Sequence, residues 1–225
     1  MMRSATTPEH HLRRADPVLG AIIDRVVREN GGTRLTLPPD PTAPTDPNIP
    51  TDHYSMLIRA IVSQNISLIA STAIYRRLSE RFGGRPPTPR EILDNDPDEL
   101  RLATGLSRAK TISLHSLAEH IVSGELDLEQ LHELPDDAVV TQLVAVKGIG
   151  TWTAHIFLMF HLHRPDVLAV GDLEIRRCVQ HEYGLPERPR PAELEEIAEP
   201  WRPYRTLACM YLWQIAHTRP QLQVY

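Results

Sequence analysis

Asp172 is the carboxylate of this sequence best placed to stabilise positive charge. It follows the short apolar run 167–170 and Gly171, and apolar residues at helical spacing follow it from Leu173 to Val179. Aspartate is a favoured N-cap, and the amide N–H groups and dipole of a first helical turn favour its charged form. A capping role alone explains the residue. A fixed, ionised carboxylate also suits a reaction whose transition state carries positive charge.

A glycine-rich break, Lys147-Gly148-Ile149-Gly150, separates two apolar helical patterns. Gly148 can adopt the positive φ that closes the first helix, and Gly150 lets the chain turn tightly into the second. Such a turn presents amide N–H groups at a helix N-terminus, which favours a phosphate without reading any base. An ordinary helical corner with a glycine C-cap is the alternative interpretation.

The elements that must position these residues are predicted to be helices. After the N-cap Asp16, apolar residues recur at helical spacing from Val18 to Val27, and Gly31-Gly32 ends that helix. The pattern returns strongly over residues 53–82 and is interrupted only by the polar pair Gln64-Asn65. Spacing alone favours a polar turn between two helices there, with Ser67 capping the second.

Shorter helices and irregular segments complete the prediction. Helices are expected over residues 89–95 and 97–103, and Gly105 and Ser107 mark the end of one helix and the cap of the next. The polar residues 1–9 are expected to be disordered. Six prolines between residues 33 and 51 predict an extended crossing.

Composition limits the class of protein. The chain has 225 residues, 41% of them apolar, which is enough for one large or two modest helical domains. Its formal net charge of −5 argues against a protein that coats nucleic acid by charge alone, so a basic surface must be local. The candidates are Arg108 with Lys110, Lys147, and Arg176 with Arg177. Taken singly, Arg108 and Lys110 are best explained as solvated surface charge.

The sequence carries no pattern of a signal peptide, a membrane span or a lipid anchor, so we expect the protein to stay in the compartment where it is made. Cys178 and Cys209 lie on separate apolar segments without CxxC spacing. We therefore expect a reducing compartment, and neither a zinc site nor an iron–sulfur cluster held by cysteines.

Several segments in order resemble the HhH-GPD superfamily of DNA glycosylases, and within it the branch of the 3-methyladenine DNA glycosylase II type. The segments are Leu143–Ala154 with Arg164–Asp172 after it, His53–Leu78, Gly105–Ile121, Leu158–Arg177 and Trp201–Trp213. The resemblance implies an all-α, two-lobed fold with the active cleft between the lobes. It implies a monofunctional enzyme that hydrolyses the N-glycosidic bond of alkylated bases, such as 3-methyladenine and 7-methylguanine, flipped out of duplex DNA. That reaction is the first step of base excision repair.

The same resemblance assigns roles to individual residues. Asp172 falls at the catalytic aspartate, which stabilises the oxocarbenium-like sugar and helps to orient or activate water. Asn65 and Ile66 fall at the wedge that enters DNA when a base is extruded. The DNA backbone is gripped by Lys147, Gly148, Ile149, Gly150 and Thr151. A structural Na⁺ or K⁺ is implied on the backbone carbonyls of Val144, Val146 and Ile149.

Trp152 lies where bifunctional members of the family carry a lysine. An indole cannot attack the sugar carbon, so water is the expected nucleophile. The family also implies that Trp152 forms a wall for the flipped, electron-poor base, with Tyr204 as a second pocket aromatic. Packing at a helix start for Trp152, and a hydrogen-bonded core position for Tyr204, are the alternatives. No cofactor is required, and the cysteines for an iron–sulfur cluster are missing.

We predict one helical domain over residues 53–164, and a second from residues 1–52 plus 165–225 that carries Asp172. The expected partner is damaged double-stranded DNA and not a membrane, and the protein is expected to be a monomer. It would act in the cytoplasm with the nucleoid of a prokaryote, or in the nucleus of a eukaryote. Two alternatives stay open: a glycosylase for another lesion, such as uracil or an oxidised or deaminated base, and a non-catalytic module that only grips DNA.

Overall fold

The computed structural model describes residues 7–37 and 52–218. These residues form twelve α-helices and one 3₁₀-helix, with no β-strand among them, so the predicted all-α class is confirmed. In chain order the helices are α1 (Pro8–Ala15), α2 (Pro17–Glu29), α3 (His53–Ser63), α4 (Leu68–Arg81), α5 (Pro89–Asp94), α6 (Pro97–Thr104), α7 (Arg108–Ser123), α8 (Asp136–Ala145), α9 (Thr151–Phe160), α10 (Leu173–Glu182), α11 (Pro191–Ala198), the 3₁₀-helix (Glu199–Trp201) and α12 (Arg205–His217). Within the described ranges no helix is both long and apolar enough to cross a membrane.

The chain divides into two compact units. One combines Met1–Ala43 with Leu158–Tyr225, and the other is the continuous segment Pro44–Phe157. The chain passes from one unit to the other within α9. The division that we expected from the sequence, 53–164 against 1–52 plus 165–225, stays a prediction, and so does an active cleft between two lobes.

The continuous unit is built around α7, which packs against α3, α5 and α6. Its helix ends are set by local caps: Ser67 Oγ accepts a hydrogen bond from the amide of Ala70, and Ser107 Oγ accepts one from the amide of Lys110. Gly105 has φ +81° and ends α6 in the left-handed conformation. The ends predicted for these helices are therefore confirmed within one residue.

The other unit joins the two ends of the chain. Helix α2 packs against α1 and α12, and α10 also packs against α12. Asp16 caps α2, since its Oδ1 accepts from the amides of Val18 (2.9 Å) and Leu19 (3.1 Å). Its Oδ2 accepts from the Tyr183 hydroxyl (2.5 Å) and from Trp201 Nε1 (2.8 Å). One carboxylate thus connects the start of α2 with the end of α10 and with the 3₁₀-helix.

The prediction that residues 1–9 are disordered was wrong for residues 7–9, the part that the structure describes. Thr7 Oγ1 accepts from the amide of His10 and caps α1, and Pro8 takes the first helical position. Glu9 is 5% exposed, and its carboxylate accepts from the Tyr211 hydroxyl. Contacts with a distant helix therefore hold a segment whose composition is polar. Residues 1–6 lie outside the described residues, as does the part of the predicted crossing at 38–51.

Candidate active site

The glycine-rich break forms a hydrogen-bonded turn between α8 and α9. Helix α8 ends at Ala145, and the Ile149 amide donates to the Val146 carbonyl at 3.0 Å. Gly148 has φ +89°, so the predicted positive φ is confirmed. The expectation that this glycine closes the helix itself was wrong, because the helix ends three residues earlier, where the buried Val146 turns extended. Gly148 instead serves the turn that follows.

The start of α9 presents its amide groups beside this turn. Ala154 N donates to the Gly150 carbonyl at 3.0 Å, so the first-turn amides of residues 151–153 have no acceptor within their own helix. A Cβ on Gly150 would meet no atom within 4 Å, so the space beside this glycine is open. Lys147 is exposed nearby, whereas Ile149 is only 3% exposed and anchors the turn in the core. The geometry suits a phosphate, and contact with DNA stays a prediction.

Helix α7 supports the turn from the protein side. A Cβ on Gly148 would lie 2.0 Å from Ser113 Oγ, so a residue with a side chain does not fit. The Lys147 amide donates to Ser116 Oγ at 3.0 Å. Two serines on one face of α7 therefore fix the position of the turn.

The polar pair between α3 and α4 is attached to the same turn. Gln64 Nε2 donates to the Gly148 carbonyl at 2.9 Å and lies 3.5 Å from Thr153 Oγ1. Asn65 is exposed and has φ +55°, a conformation that asparagine adopts more readily than most residues. Ile66 beside it is 37% exposed. The structure therefore places Asn65 and Ile66 at the surface, where their wedge role stays a prediction, and gives Gln64 a contact that sequence reasoning missed.

Lys110 was expected to be solvated, and that prediction was wrong. The residue is 8% exposed, and its Nζ donates to the Val62 carbonyl in the last turn of α3 at 2.8 Å. Burial lowers the pKa of its ammonium group. The sequence carried a signal, because Lys110 precedes Leu114 and Leu117 by four and seven residues and so lies on the apolar stripe of α7. Arg108 is exposed, as expected.

A cavity of about 540 Å³ lies between the α3–α4 turn and α9. It is lined by Ala60, Ser63, Gln64, Asn65, Trp152, Thr153 and Ile156. Trp152 is 46% exposed, which argues against a purely packing role for its indole. Within Pro44–Phe157 the structure thus brings together the predicted wedge, the predicted stacking aromatic and the glycine turn.

Asp172 caps α10, as predicted. Its Oδ1 accepts from the amide of Ile175 at 2.9 Å, and its own amide donates to the Ala169 carbonyl at 2.9 Å. The residue is 7% exposed. The Ile175 amide therefore holds the carboxylate, and the Ala169 carbonyl holds the backbone of the same residue. The catalytic role of Asp172 stays a prediction.

The segment that leads to α10 is anchored on α12. Val167 N donates to Thr206 Oγ1 (3.1 Å), and that hydroxyl donates to the Arg164 carbonyl (2.7 Å). Asp166 Oδ1 accepts from Arg205 Nε at 2.7 Å. Thr206 is fully buried, so the two bonds made by its hydroxyl are shielded from water. Sequence reasoning missed this anchor because its two parts are about 40 residues apart in the chain.

Tyr204 is half-buried and lines a different cavity, of about 480 Å³. The other residues that line it are His11, Arg14, Ala15 and Pro203. The Tyr204 ring meets the His11 ring edge-on, with centroids 5.4 Å apart and an interplanar angle of 71°. A base pocket that Tyr204 shares with Trp152 stays a prediction.

The carbonyl groups expected to hold a monovalent cation lie around the glycine turn. Val144 is in the last turn of α8, whose carbonyls lack donors within the helix. The Val146 carbonyl accepts one bond, from Ile149, and retains a second lone pair. Carbonyl oxygens are ligands that Na⁺ and K⁺ accept, and the binding of such a cation here stays a prediction. Among residues 7–37 and 52–218, no three His, Cys, Asp or Glu side chains are grouped to hold a metal ion.

Comparison with known families decides what this arrangement belongs to. The model of the HhH-GPD superfamily of base excision DNA repair proteins matches residues 58–203. The chain belongs to this superfamily. The match takes in the α3–α4 turn, the glycine turn and Asp172, and it leaves α1, α2 and α12 outside.

Relatives of this HhH-GPD chain include DNA-3-methyladenine glycosylase 1 of Schizosaccharomyces pombe, 37% identical over 173 residues that cover 74% of this chain and 75% of the relative. A solved DNA-3-methyladenine glycosidase of Bacillus halodurans is 34% identical, with a TM-score of 0.77 over 96% of this chain and 92% of that one. The S. pombe 3-methyladenine DNA glycosylase solved in complex with abasic DNA is 31% identical, with a TM-score of 0.74 over 97% of this chain and 99% of that one.

Proposed function

We propose that this chain is a monofunctional DNA glycosylase that hydrolyses the N-glycosidic bond of alkylated bases in double-stranded DNA. Bases of the 3-methyladenine and 7-methylguanine type are the expected substrates. The observation that carries the proposal is the pairing of family and site: a superfamily of base excision repair proteins, and a buried carboxylate, Asp172, fixed at a helix N-terminus.

Asp172 performs the central step. As the bond between sugar and base breaks, the sugar carbon gains positive charge, and a carboxylate already in place stabilises that charge without reorganising. The backbone bonds to Ile175 and Ala169 hold Asp172 before the substrate arrives. The same carboxylate orients the water that adds to the sugar.

Alkylated purines need little further catalysis. Alkylation at N3 or N7 places positive charge on the ring and weakens the glycosidic bond, so the base leaves without protonation by an enzyme acid. The exposed face of Trp152 offers a surface on which such a cationic ring stacks, with cation–π attraction added to the dispersion contacts. Preference for damaged bases then comes partly from their easier extrusion.

The glycine turn holds the DNA backbone while the base is extruded. The first-turn amides of α9 and the exposed Lys147 favour a phosphate, and neither reads the sequence. A net charge of −5 keeps the rest of the surface from binding DNA indiscriminately. We expect the enzyme to act as a monomer wherever the DNA of its cell lies, with Na⁺ or K⁺ steadying the turn.

Replacing the acid tests the proposal directly. Asp172→Asn should lower the release of 7-methylguanine from a duplex oligonucleotide by about 10²–10³-fold, the usual effect of removing a group that stabilises transition-state charge. Asparagine caps helices about as well as aspartate, so the fold and the Kd for DNA should change less than about twofold. Single-turnover release and fluorescence anisotropy measure the two quantities. Full excision by the variant would remove Asp172 from its role.

A panel of defined lesions distinguishes the alternatives. Duplexes that carry 7-methylguanine, uracil, 8-oxoguanine or hypoxanthine are incubated with the wild-type protein, and base release is measured. Preferred release of 7-methylguanine supports the proposal, whereas preferred release of another base assigns a different lesion. Binding without release of any base would identify a non-catalytic module.

A further inference from the structure

One face of α7 carries three buried polar residues at intervals of three: Lys110, Ser113 and Ser116, which are 8%, 5% and 9% exposed. Lys110 Nζ donates to the Val62 carbonyl at the end of α3. Ser113 packs against Gly148, and Ser116 Oγ accepts from the amide that precedes this glycine. A single helix face therefore contacts both the end of α3 and the glycine turn.

The position of Lys110 is unfavourable for its own helix. It lies in the first turn of α7, where the helix dipole disfavours a cation, and on the stripe whose other members are buried leucines. Burial of an ammonium group also removes it from water. An aliphatic residue would avoid both costs. The last turn of α3 provides the compensation, because the Val62 carbonyl lies at the negative end of that helix.

Val62 precedes the pair Gln64-Asn65 by only two residues. Within this pair, Gln64 Nε2 donates to the Gly148 carbonyl at 2.9 Å. The start of the α3–α4 turn is therefore fixed at two points, at Val62 by Lys110 of α7 and at Gln64 by the glycine turn, and the exposed Asn65 follows directly.

We propose that Lys110 is a positioning residue for base extrusion: it holds the wedge segment at a fixed distance from the turn that grips the DNA backbone. When the wedge segment enters the gap left by a base, the DNA exerts an opposing force on that segment and on the end of α3. The bond from Lys110 keeps the end of α3 in place, so that the wedge displaces the base and is not displaced itself. The inference rests on the proposed glycosylase function and deepens it.

Lys110→Met keeps the length of the side chain and removes its donor and charge. Single-turnover release of 7-methylguanine is measured from two duplexes, one with the lesion paired to cytosine and one with it opposite an abasic-site analogue. We expect the rate of release from the paired lesion to fall about tenfold in the variant, which corresponds to the loss of a hydrogen bond to a charged group. On the unpaired lesion, which is extruded easily, the loss should stay within about twofold.

Leu117→Ala is the matched control. Leu117 lies on the same helix and is fully buried, so its replacement by alanine destabilises the fold, but Leu117 makes none of the hydrogen bonds that hold the α3–α4 turn. Its effect should be equal on both duplexes. Lys110→Gln keeps a donor but loses the charge, and it should give a smaller loss with the same preference for the paired lesion. It also serves as the test variant if Lys110→Met does not fold.

A second measurement follows extrusion without chemistry. The protein carries Asp172→Asn, and 2-aminopurine is placed next to the paired lesion, where its fluorescence increases when the neighbouring base unstacks. Lys110→Met should reduce this fluorescence increase. Equal losses on paired and unpaired lesions, or an unchanged fluorescence increase, would overturn the proposal for Lys110. Absence of base release by the wild-type protein from either duplex would instead contradict the glycosylase function, so the two failures are distinct.

Discussion

At the scale of single residues, we propose that Trp152 determines which nucleophile attacks the sugar. Bifunctional members of the family carry a lysine amine at this position, and the amine forms a covalent Schiff base with the sugar. An indole nitrogen has no such reactivity, so water is the expected nucleophile, and we propose that Asp172 orients it. We propose that the exposed indole serves the flipped base instead.

The protein should therefore form no covalent adduct with DNA. Incubation with a 7-methylguanine duplex and sodium borohydride should yield no protein–DNA band on a denaturing gel, because there is no imine to reduce. A lysine-bearing bifunctional glycosylase with its own lesion is the positive control. A trapped adduct would show that another amine of this chain attacks the sugar, and the enzyme would then be bifunctional.

Residue roles were predictable where they depend on near neighbours in the chain. The N-cap of Asp172 was predicted correctly because cap and amide are three residues apart. Lys110 and Glu9 were misjudged because their partners, Val62 and Tyr211, are 48 and 202 residues away. Charge and polarity in a sequence indicate exposure on average, and only the fold shows which charges find buried partners.

At the scale of elements, the glycine turn depends on two different glycines. Gly148 has positive φ and lies against Ser113, so it has neither the conformation nor the space for a side chain. A Cβ on Gly150 meets open space. The two glycines look alike in the sequence, but only the first is required by the packing of α7.

Replacing each glycine by alanine should show that Gly148 is required for stability and that Gly150 is not. Gly148→Ala should lower the free energy of unfolding by about 1–3 kcal/mol, the usual cost of forcing extra volume into a packed site. Gly150→Ala should change it by less than about 1 kcal/mol, because surface substitutions have small effects. Urea unfolding followed by circular dichroism gives both values. Equal stability of the two variants would contradict the close contact with Ser113.

Helix boundaries were predicted correctly where a local cap sets them and wrongly where packing against distant residues sets them. Gly105 and Ser107 placed the end of α6 and the start of α7 correctly, because caps act within one turn. The end of α8 was misplaced at the glycine, because Val146 leaves the helix three residues after Leu143 and its side chain is buried. Burial against other helices is not readable from the sequence of one helix.

At the scale of the whole molecule, Asp16 joins parts of the chain that are far apart in sequence. Its carboxylate accepts from two backbone amides, as many helix caps do, and also from Tyr183 and Trp201. Burial and the bond to Asp16 raise the pKa of the Tyr183 hydroxyl, so this donor stays protonated. Asp96 makes the same two amide bonds at the start of α6, before a proline, but is exposed.

This matched pair gives a stability prediction. Asp96→Ala should cost about 0.5–2 kcal/mol, the value of an N-cap. Asp16→Ala should cost more, because each buried donor left without an acceptor adds about 1–3 kcal/mol. Thermal or denaturant unfolding of both variants measures the difference. A similar loss in the two proteins would show that the bonds to Tyr183 and Trp201 contribute little.

The hydrogen bonds of Asp16 and Glu9 also affect the order in which the two units complete their packing during synthesis. Helices α1 and α2 leave the ribosome first, but their partners Tyr183, Trp201 and Tyr211 follow 167, 185 and 202 residues later. The segment Pro44–Phe157 is contiguous, so its helices emerge together and pack as translation proceeds. The faces of α1 and α2 that pack against α12 therefore stay uncovered until α12 has been synthesised, and chaperones bind apolar surface that is exposed in this way.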